Sequence, residues 1–220
     1  MCGKFTAKAS WAETVEFITS DPPRDDDRSV TLRVMNDLPV IVRDADERRV
    51  MAMRWGFPDP SDSRRPRPIH ARAETIDTTP AFAAAFRDGQ RGIVLVETFN
   101  EAPDDGKGGS GPQHVVTPAA PVGIAFLWRR FEIGGQPMLA CVMVTVAANP
   151  LLMGLPTDRM PAILAPEDWA TWLGETDATP AQVKACLRTA PDTRWTMTRE
   201  ERAKTGKRAS PTVAAPTGLF

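Results

Sequence analysis

The chain has 220 residues, a formal net charge of −1 and 42% hydrophobic residues. That length supports one sizeable core, and the near-balanced charge excludes a global field that draws in nucleic acid, so any DNA site must be a local basic groove. The three cysteines, Cys2, Cys141 and Cys186, are odd in number and lack metal-ligand spacing, which argues against a disulfide framework or a zinc site and fits a reducing compartment.

In chain order, residues 10–19 read as a short helix with Ser10 as N-cap and Glu13 completing a capping box. The charged run 21–28 reads as a solvated loop. Residues 30–43 are strand-like, with Val30, Leu32 and Val34 alternating, and 50–57 form a second strand ending in Arg54-Trp55-Gly56-Phe57-Pro58. A polar, proline-rich connection (59–68) leads to His70-Ala71-Arg72-Ala73-Glu74-Thr75 and a short helix over 80–87 closed by Gly89. Residues 92–99 read as a buried strand running into Asn100-Glu101, and 104–112 as a Gly-rich loop. The runs 122–133 and 137–147 flank Gly134-Gly135 as a β-hairpin. Helices are expected over 166–173 and 180–189. From Arg199 the chain turns basic and then Pro/Ala/Thr-rich, so 1–198 reads as the folded domain and 199–220 as a disordered tail. The sum is an α+β fold, β-rich, with mixed and antiparallel sheets and short peripheral helices. The N-terminus has no apolar signal segment and the longest apolar run, 138–148, is too short to span a bilayer. A cytoplasmic protein without a membrane partner is expected.

The start, Met1-Cys2-Gly3-Lys4-Phe5, has chemistry of its own. Cotranslational removal of Met1 is favoured before a small residue and leaves Cys2 with a free α-amine beside its thiol. Their ordinary pKa values, about 7.7–8.0 and about 8.5, make both nucleophilic near neutral pH. The amine condenses with an aldehyde to an imine and the thiol closes on the imine carbon, giving a five-membered thiazolidine at the effective molarity of a tethered reaction. The plainer reading is that Cys2 packs as a small apolar side chain.

Four separated pieces decide between these readings: Met-Cys-Gly-Lys-Phe, Arg54-Trp55-Gly56-Phe57-Pro58, His70 to Thr75, and Asp158-Arg159-Met160-Pro161-Ala162-Ile163-Leu164. With Phe99-Asn100-Glu101 between the last two, the set resembles, in order and spacing, the SOS response-associated peptidase (SRAP) family over roughly residues 1–195. The resemblance implies a sensor of abasic sites in single-stranded DNA, working as a monomer without a cofactor or metal, and nucleoid-associated when bound to DNA. It implies capture of the ring-opened deoxyribose aldehyde by Cys2 as a thiazolidine crosslink. Glu101 matches the family's glutamate and would move protons. Arg72 and Arg159 match arginines that contact DNA phosphates, with a salt bridge to a carboxylate such as Glu74 or Asp158 as the alternative. Trp55 would stack on a base or fill the core. Lys4, also placed at the DNA, stands where the family has arginine.

Further departures from the family are His70 for asparagine, Thr157 for histidine, Ala102 for tryptophan and Gly92 for cysteine, and a tryptophan expected within 59–63 is missing. Only two histidines exist, His70 and His114, so His70 is read as an imidazole moved within one pocket, with Thr157 as its counterpart. Two alternatives stand beside covalent capture. One is non-covalent single-strand binding on the same scaffold. The other is a thiol (auto)peptidase or DNA lyase-like activity through Cys2, for which Met1 alone offers little to cut.

Overall fold

The computed structural model describes residues 2–8, 29–59, 66–103 and 111–200. The helix expected over 10–19, the charged loop 21–28 and the tail from 201 lie outside the described residues, as does most of the Gly-rich loop.

Thirteen strands are described: β1 (Lys4–Lys8), β2 (Ser29–Arg33), β3 (Asp37–Asp44), β4 (Glu47–Trp55), β5 (His70–Arg72), β6 (Arg91–Val96), β7 (Thr98–Glu101), β8 (His114–Thr117), β9 (Val122–Ile133), β10 (Gln136–Ala147), β11 (Arg159–Pro161), β12 (Ile163–Leu164) and β13 (Thr196–Arg199). Four short helices accompany them: α1 (Ala83–Arg87), α2 (Pro150–Met153), α3 (Trp169–Leu173) and α4 (Pro180–Ala185). This is the β-rich α+β fold with short peripheral helices that the sequence led us to expect.

Strands β10, β4, β3, β6 and β9 close on one another as a five-stranded barrel. Closure needs one parallel contact, β4 with β10, through Ala140 opposite Arg54 and Cys141 opposite Trp55. The β9–β10 hairpin turns at Gly134 and Gly135, whose φ angles of 58° and 75° suit the mirror-image turn that matches strand twist. Strand β10 is long enough to change partners on both edges. On one edge β4 gives way to β5, and on the other β9 gives way to β11 at Thr145.

A second sheet, wholly antiparallel, runs β13-β8-β7-β1-β2. The run 91–101 serves both layers. As β6 it is buried along its length in the barrel, and after Glu97, whose N–H donates to the Thr6 carbonyl at 2.8 Å, it continues as β7 in the second sheet. The stretch 30–43, expected as one strand-like run, divides for the same reason: it turns at Met35 (φ 75°) and sends β2 to one sheet and β3 to the barrel. Phe5 and Trp55, with rings 5.0 Å apart, and Phe99 join the layers in one core.

The helices are shorter than their periodicity suggested. The first forms only from Ala83. The run 166–173 begins as a 3-10 turn over Pro166–Asp168 and stops at Gly174 (φ 81°). The last, capped reciprocally by Thr179 and Gln182, ends at Ala185 instead of reaching 189. At the far end β13 pairs through Arg199, and Glu200 N–H donates to the Gln113 carbonyl, so the second sheet continues past the residue 198 boundary read from composition.

Candidate functional site

Cys2 sits at the lip of β1 and is only 3% exposed. Its thiol donates to the Lys4 carbonyl at 3.4 Å. Burial first, and the charge of Glu101 second, push the thiol up to about 12, against a smaller opposing pull from the backbone contacts to Lys4 and Asn100. At neutral pH Cys2 therefore carries its proton, and nucleophilic attack needs an acceptor within the site.

The β1–β7 register supplies that acceptor. Lys4 lies opposite Asn100, which brings Glu101 alongside the residues leading to Cys2. Glu101 has no solvent exposure, and burial raises its carboxyl above the ordinary range while the amino terminus first, then the Thr157 hydroxyl and His114, act in the opposite direction. A carboxyl that holds its proton to higher pH than usual can serve both as acid and as base near neutrality.

His70, first residue of β5, closes the other side. Its Nε2 donates to the Cys2 carbonyl at 2.6 Å. A carbonyl can only accept, so Nε2 carries the proton. Burial lowers the pKa of His70, and the ring is neutral at pH 7. His70 thus fixes the backbone of the residue that carries the thiol. Thr157 is half-buried and its hydroxyl donates to the Arg159 carbonyl at 3.3 Å. The structure brings together Cys2, His70, Glu101 and Thr157.

The residues expected at DNA divide. Arg72, two positions after His70, is exposed and makes no hydrogen bond or ion pair among the described residues. The Lys4 ammonium is held 2.7 Å from both carboxylate oxygens of Glu200, so it is committed within the chain. The side chain of Arg159 is 9% exposed and engaged: Nη1 and Nη2 donate to Glu74 at 2.6 and 2.9 Å, and Nη2 also donates to the Thr145 carbonyl. This is the salt-bridge alternative, and it ties β11 to the turn after β5. Trp55 is 0% exposed, donates Nε1–H to the Ile69 carbonyl at 3.3 Å, and packs on Phe5 and Phe126. The base-stacking expectation is corrected here, because the indole is fully buried and leaves no face open to a base.

Arg159→Ala is expected to lower stability by about 2–3 kcal/mol, since it removes two charge-assisted bonds from a buried site while half-exposed Glu74 is resolvated. Arg159 holds the Glu74 carboxyl below its usual value. A depressed folded pKa contributes stability above the unfolded value, about 4.3, and that contribution is lost as pH falls. Urea midpoints of the two proteins should therefore converge below about pH 4; a constant gap down to pH 3 would mean the loss comes from packing alone.

One departure has a local cause. At Gly92 a Cβ would lie 2.4 Å from Val40 Cγ1 and 3.0 Å from the Ile41 carbonyl, so the cysteine found there in the family has no room. Sequence reasoning gave no role to His114. It lies directly opposite Glu101 in the β7–β8 ladder, and the signal was available only in its being one of two histidines.

A family model of the SOS response associated peptidase (SRAP) matches residues 1–203. The chain belongs to the SRAP family. This SRAP protein is 25% identical over 197 residues to the abasic site processing protein YoqW of Bacillus subtilis (strain 168), across 85% of this chain and 86% of the relative. It is 24% identical to the abasic site processing protein YobE of the same organism, across 85% and 88%. A solved protein from Bordetella bronchiseptica superposes with a TM-score of 0.72 at 22% identity, covering 91% of this SRAP protein and 100% of that chain. One from Bacteroides thetaiotaomicron gives 0.70 at 20% identity, covering 91% and 92%. At these identities the two structures speak for the fold alone. No helix among the described residues is long and apolar enough to cross a membrane, and no group of three or more His, Cys, Asp or Glu among them could hold a metal ion.

Proposed function

We propose that this SRAP protein acts on abasic sites in single-stranded DNA and captures them covalently through Cys2. The observation that carries the reading is the convergence of a proton-bearing thiol, a buried carboxyl of raised pKa and a histidine bonded to the Cys2 backbone. The curated relatives named for abasic site processing support the DNA-damage role.

The chemistry balances around Glu101. With Met1 removed, the Cys2 amine adds to the sugar aldehyde; the carbonyl π pair moves to oxygen, and one amine proton ends on that oxygen as hydroxyl. Glu101 then protonates the hydroxyl. The C–O bond breaks, water leaves with the electron pair, and the nitrogen lone pair forms the iminium. Sγ attacks the iminium carbon, the π pair returns to nitrogen, and the thiol proton restores Glu101. Aldehyde and aminothiol have become thiazolidine and water. Thr157 offers its hydroxyl beside the carboxyl that cycles, and His70 keeps the Cys2 backbone still through these steps.

Binding precedes capture. Arg72, exposed on the strand that carries His70 and without a hydrogen bond or ion pair among the described residues, though its charge acts on Glu74, would hold a phosphate by its fork. Lys4 would join it only on release from Glu200. Arg72→Ala is expected to weaken binding to single-stranded DNA and to reduce the slope of log K against log salt by about 0.7. An unchanged slope in fluorescence-anisotropy titrations would place the phosphate contact elsewhere.

Incubation with an abasic single-stranded oligonucleotide followed by denaturing electrophoresis tests the whole reading. A heat-stable shifted band is expected, with the mass of protein lacking Met1 plus DNA minus water. Saturable binding without that band would leave the non-covalent module instead.

A further inference from the structure

We propose that His114 is a positioning residue of the Cys2 site: across the β7–β8 ladder it faces Glu101, balances the carboxylate that forms there and exchanges its proton with solvent. The pairing is fixed by register. Glu101 is opposite His114, and His114 is in turn opposite Arg199 on β13. Directly opposed residues of antiparallel strands project from the same face, with Cβ atoms about 4.5–5.5 Å apart. Carboxyl, imidazole and guanidinium therefore stand in one row across three strands. The row begins at a side chain with no solvent exposure and ends at an exposed one.

Burial and bonding single out His114 over the other histidine. His70 already donates Nε2–H to the Cys2 carbonyl. In His114, Nδ1 is buried and has no hydrogen-bond partner among the described residues. The position expected to bring an imidazole to this pocket, 157, holds threonine, whose hydroxyl does not titrate near neutral pH. The imidazole that faces the carboxyl arrives instead from the neighbouring strand.

The need for it follows from the cycle proposed above, on which the kinetic part of this inference rests. Each capture passes through a Glu101 carboxylate on a side chain with no solvent exposure, where charge is costly, and the amine that shares its compensation is consumed as the nucleophile. An imidazolium opposite lowers that cost. It can also hand its proton to the carboxylate oxygen, becoming neutral imidazole, and regain one from water at its outer side, so that Glu101 returns to its acid form when a capture aborts. Other groups act on Glu101 as well: the amino terminus lowers its pKa more strongly than His114 does, the Thr157 hydroxyl bonds it, the Cys2 thiol lies on the β1 side, and Arg199 stands beyond His114, while Lys4 is paired with Glu200.

The test has two arms on the full chain. In the first, the Glu101 carboxyl is followed by 13C NMR without DNA, its resonance identified by its loss in Glu101→Gln. In His114→Gln it should titrate at higher pH than in wild type, because the opposing positive charge is gone. An unchanged midpoint overturns the proposal. In the second, single-turnover adduct formation is measured from pH 5 to 9. His114→Gln should be slower by about tenfold or more, and the deficit should depend on pH. His114→Ala should be partly restored by added imidazole, which a packing role would not allow. Equal rates, or a pH-independent deficit without rescue, also overturn it. Absence of any adduct from wild type would instead sink the proposed function, while the titration still decides whether His114 and Glu101 are coupled.

Discussion

Replacing Cys2 by alanine is expected to remove every heat-stable adduct with abasic single-stranded DNA while leaving weak, salt-sensitive binding in place. The amine survives in the variant, so an imine can still form, but an imine hydrolyses on denaturation. The thiazolidine carbon is held by both nitrogen and sulfur, and without Sγ the second bond has no donor. The fold should tolerate the change. Cys2 is buried at the lip of β1, and the hydrogen bond its thiol donates to the Lys4 carbonyl at 3.4 Å is a weak sulfur one, so the loss amounts to about 1 kcal/mol. Phosphate contacts such as that proposed for Arg72 are untouched, so the slope of affinity against salt should match wild type. Denaturing electrophoresis separates the outcomes: an undiminished heat-stable band from Cys2→Ala would exclude the thiazolidine route and turn attention to lysine or another amine.

The second large effect falls on Trp55, and it is one of stability. The indole is fully buried, packs on Phe5 at 5.0 Å and edge-on to Phe126 at 6.1 Å, and donates to the Ile69 carbonyl just before His70. Trp55→Ala is expected to cost about 3–5 kcal/mol, combining lost burial with a cavity that the two sheets cannot both close upon. Trp55→Phe should cost less, because an aromatic ring remains and only the Ile69 bond and part of the volume are lost. Chemical denaturation measures both. For DNA the expectation is opposite: folded Trp55→Phe should bind single strands as wild type does. A large loss of affinity with the stability intact would return the ring to the DNA and contradict its burial.

Trp55 also shows where legibility ended. Its motif was plain in the chain, yet whether an aromatic ring faces a base or a core depends on which strand passes over it, and β1 and β9 come from distant segments. Arg159 met the same limit. Its type allowed a phosphate or a carboxylate, and the choice was made by the β10–β11 pairing, which sets it against Glu74, 85 residues away in sequence.

The sequence by itself determined the aminothiol at Cys2, the order of the motifs, the β9–β10 hairpin and the β-rich class. Each of these rests on local chemistry: adjacent functional groups, glycines where φ must be positive, or short-range alternation. Only the tertiary structure decided the barrel closure through parallel β4 and β10, the pairing of Lys4 with Glu200 across 196 positions, and the imidazole opposite Glu101. Those depend on strand register. A shift of one residue in β8 would turn His114 to the other face of the sheet, and no composition or spacing within residues 111–117 reveals which face it takes.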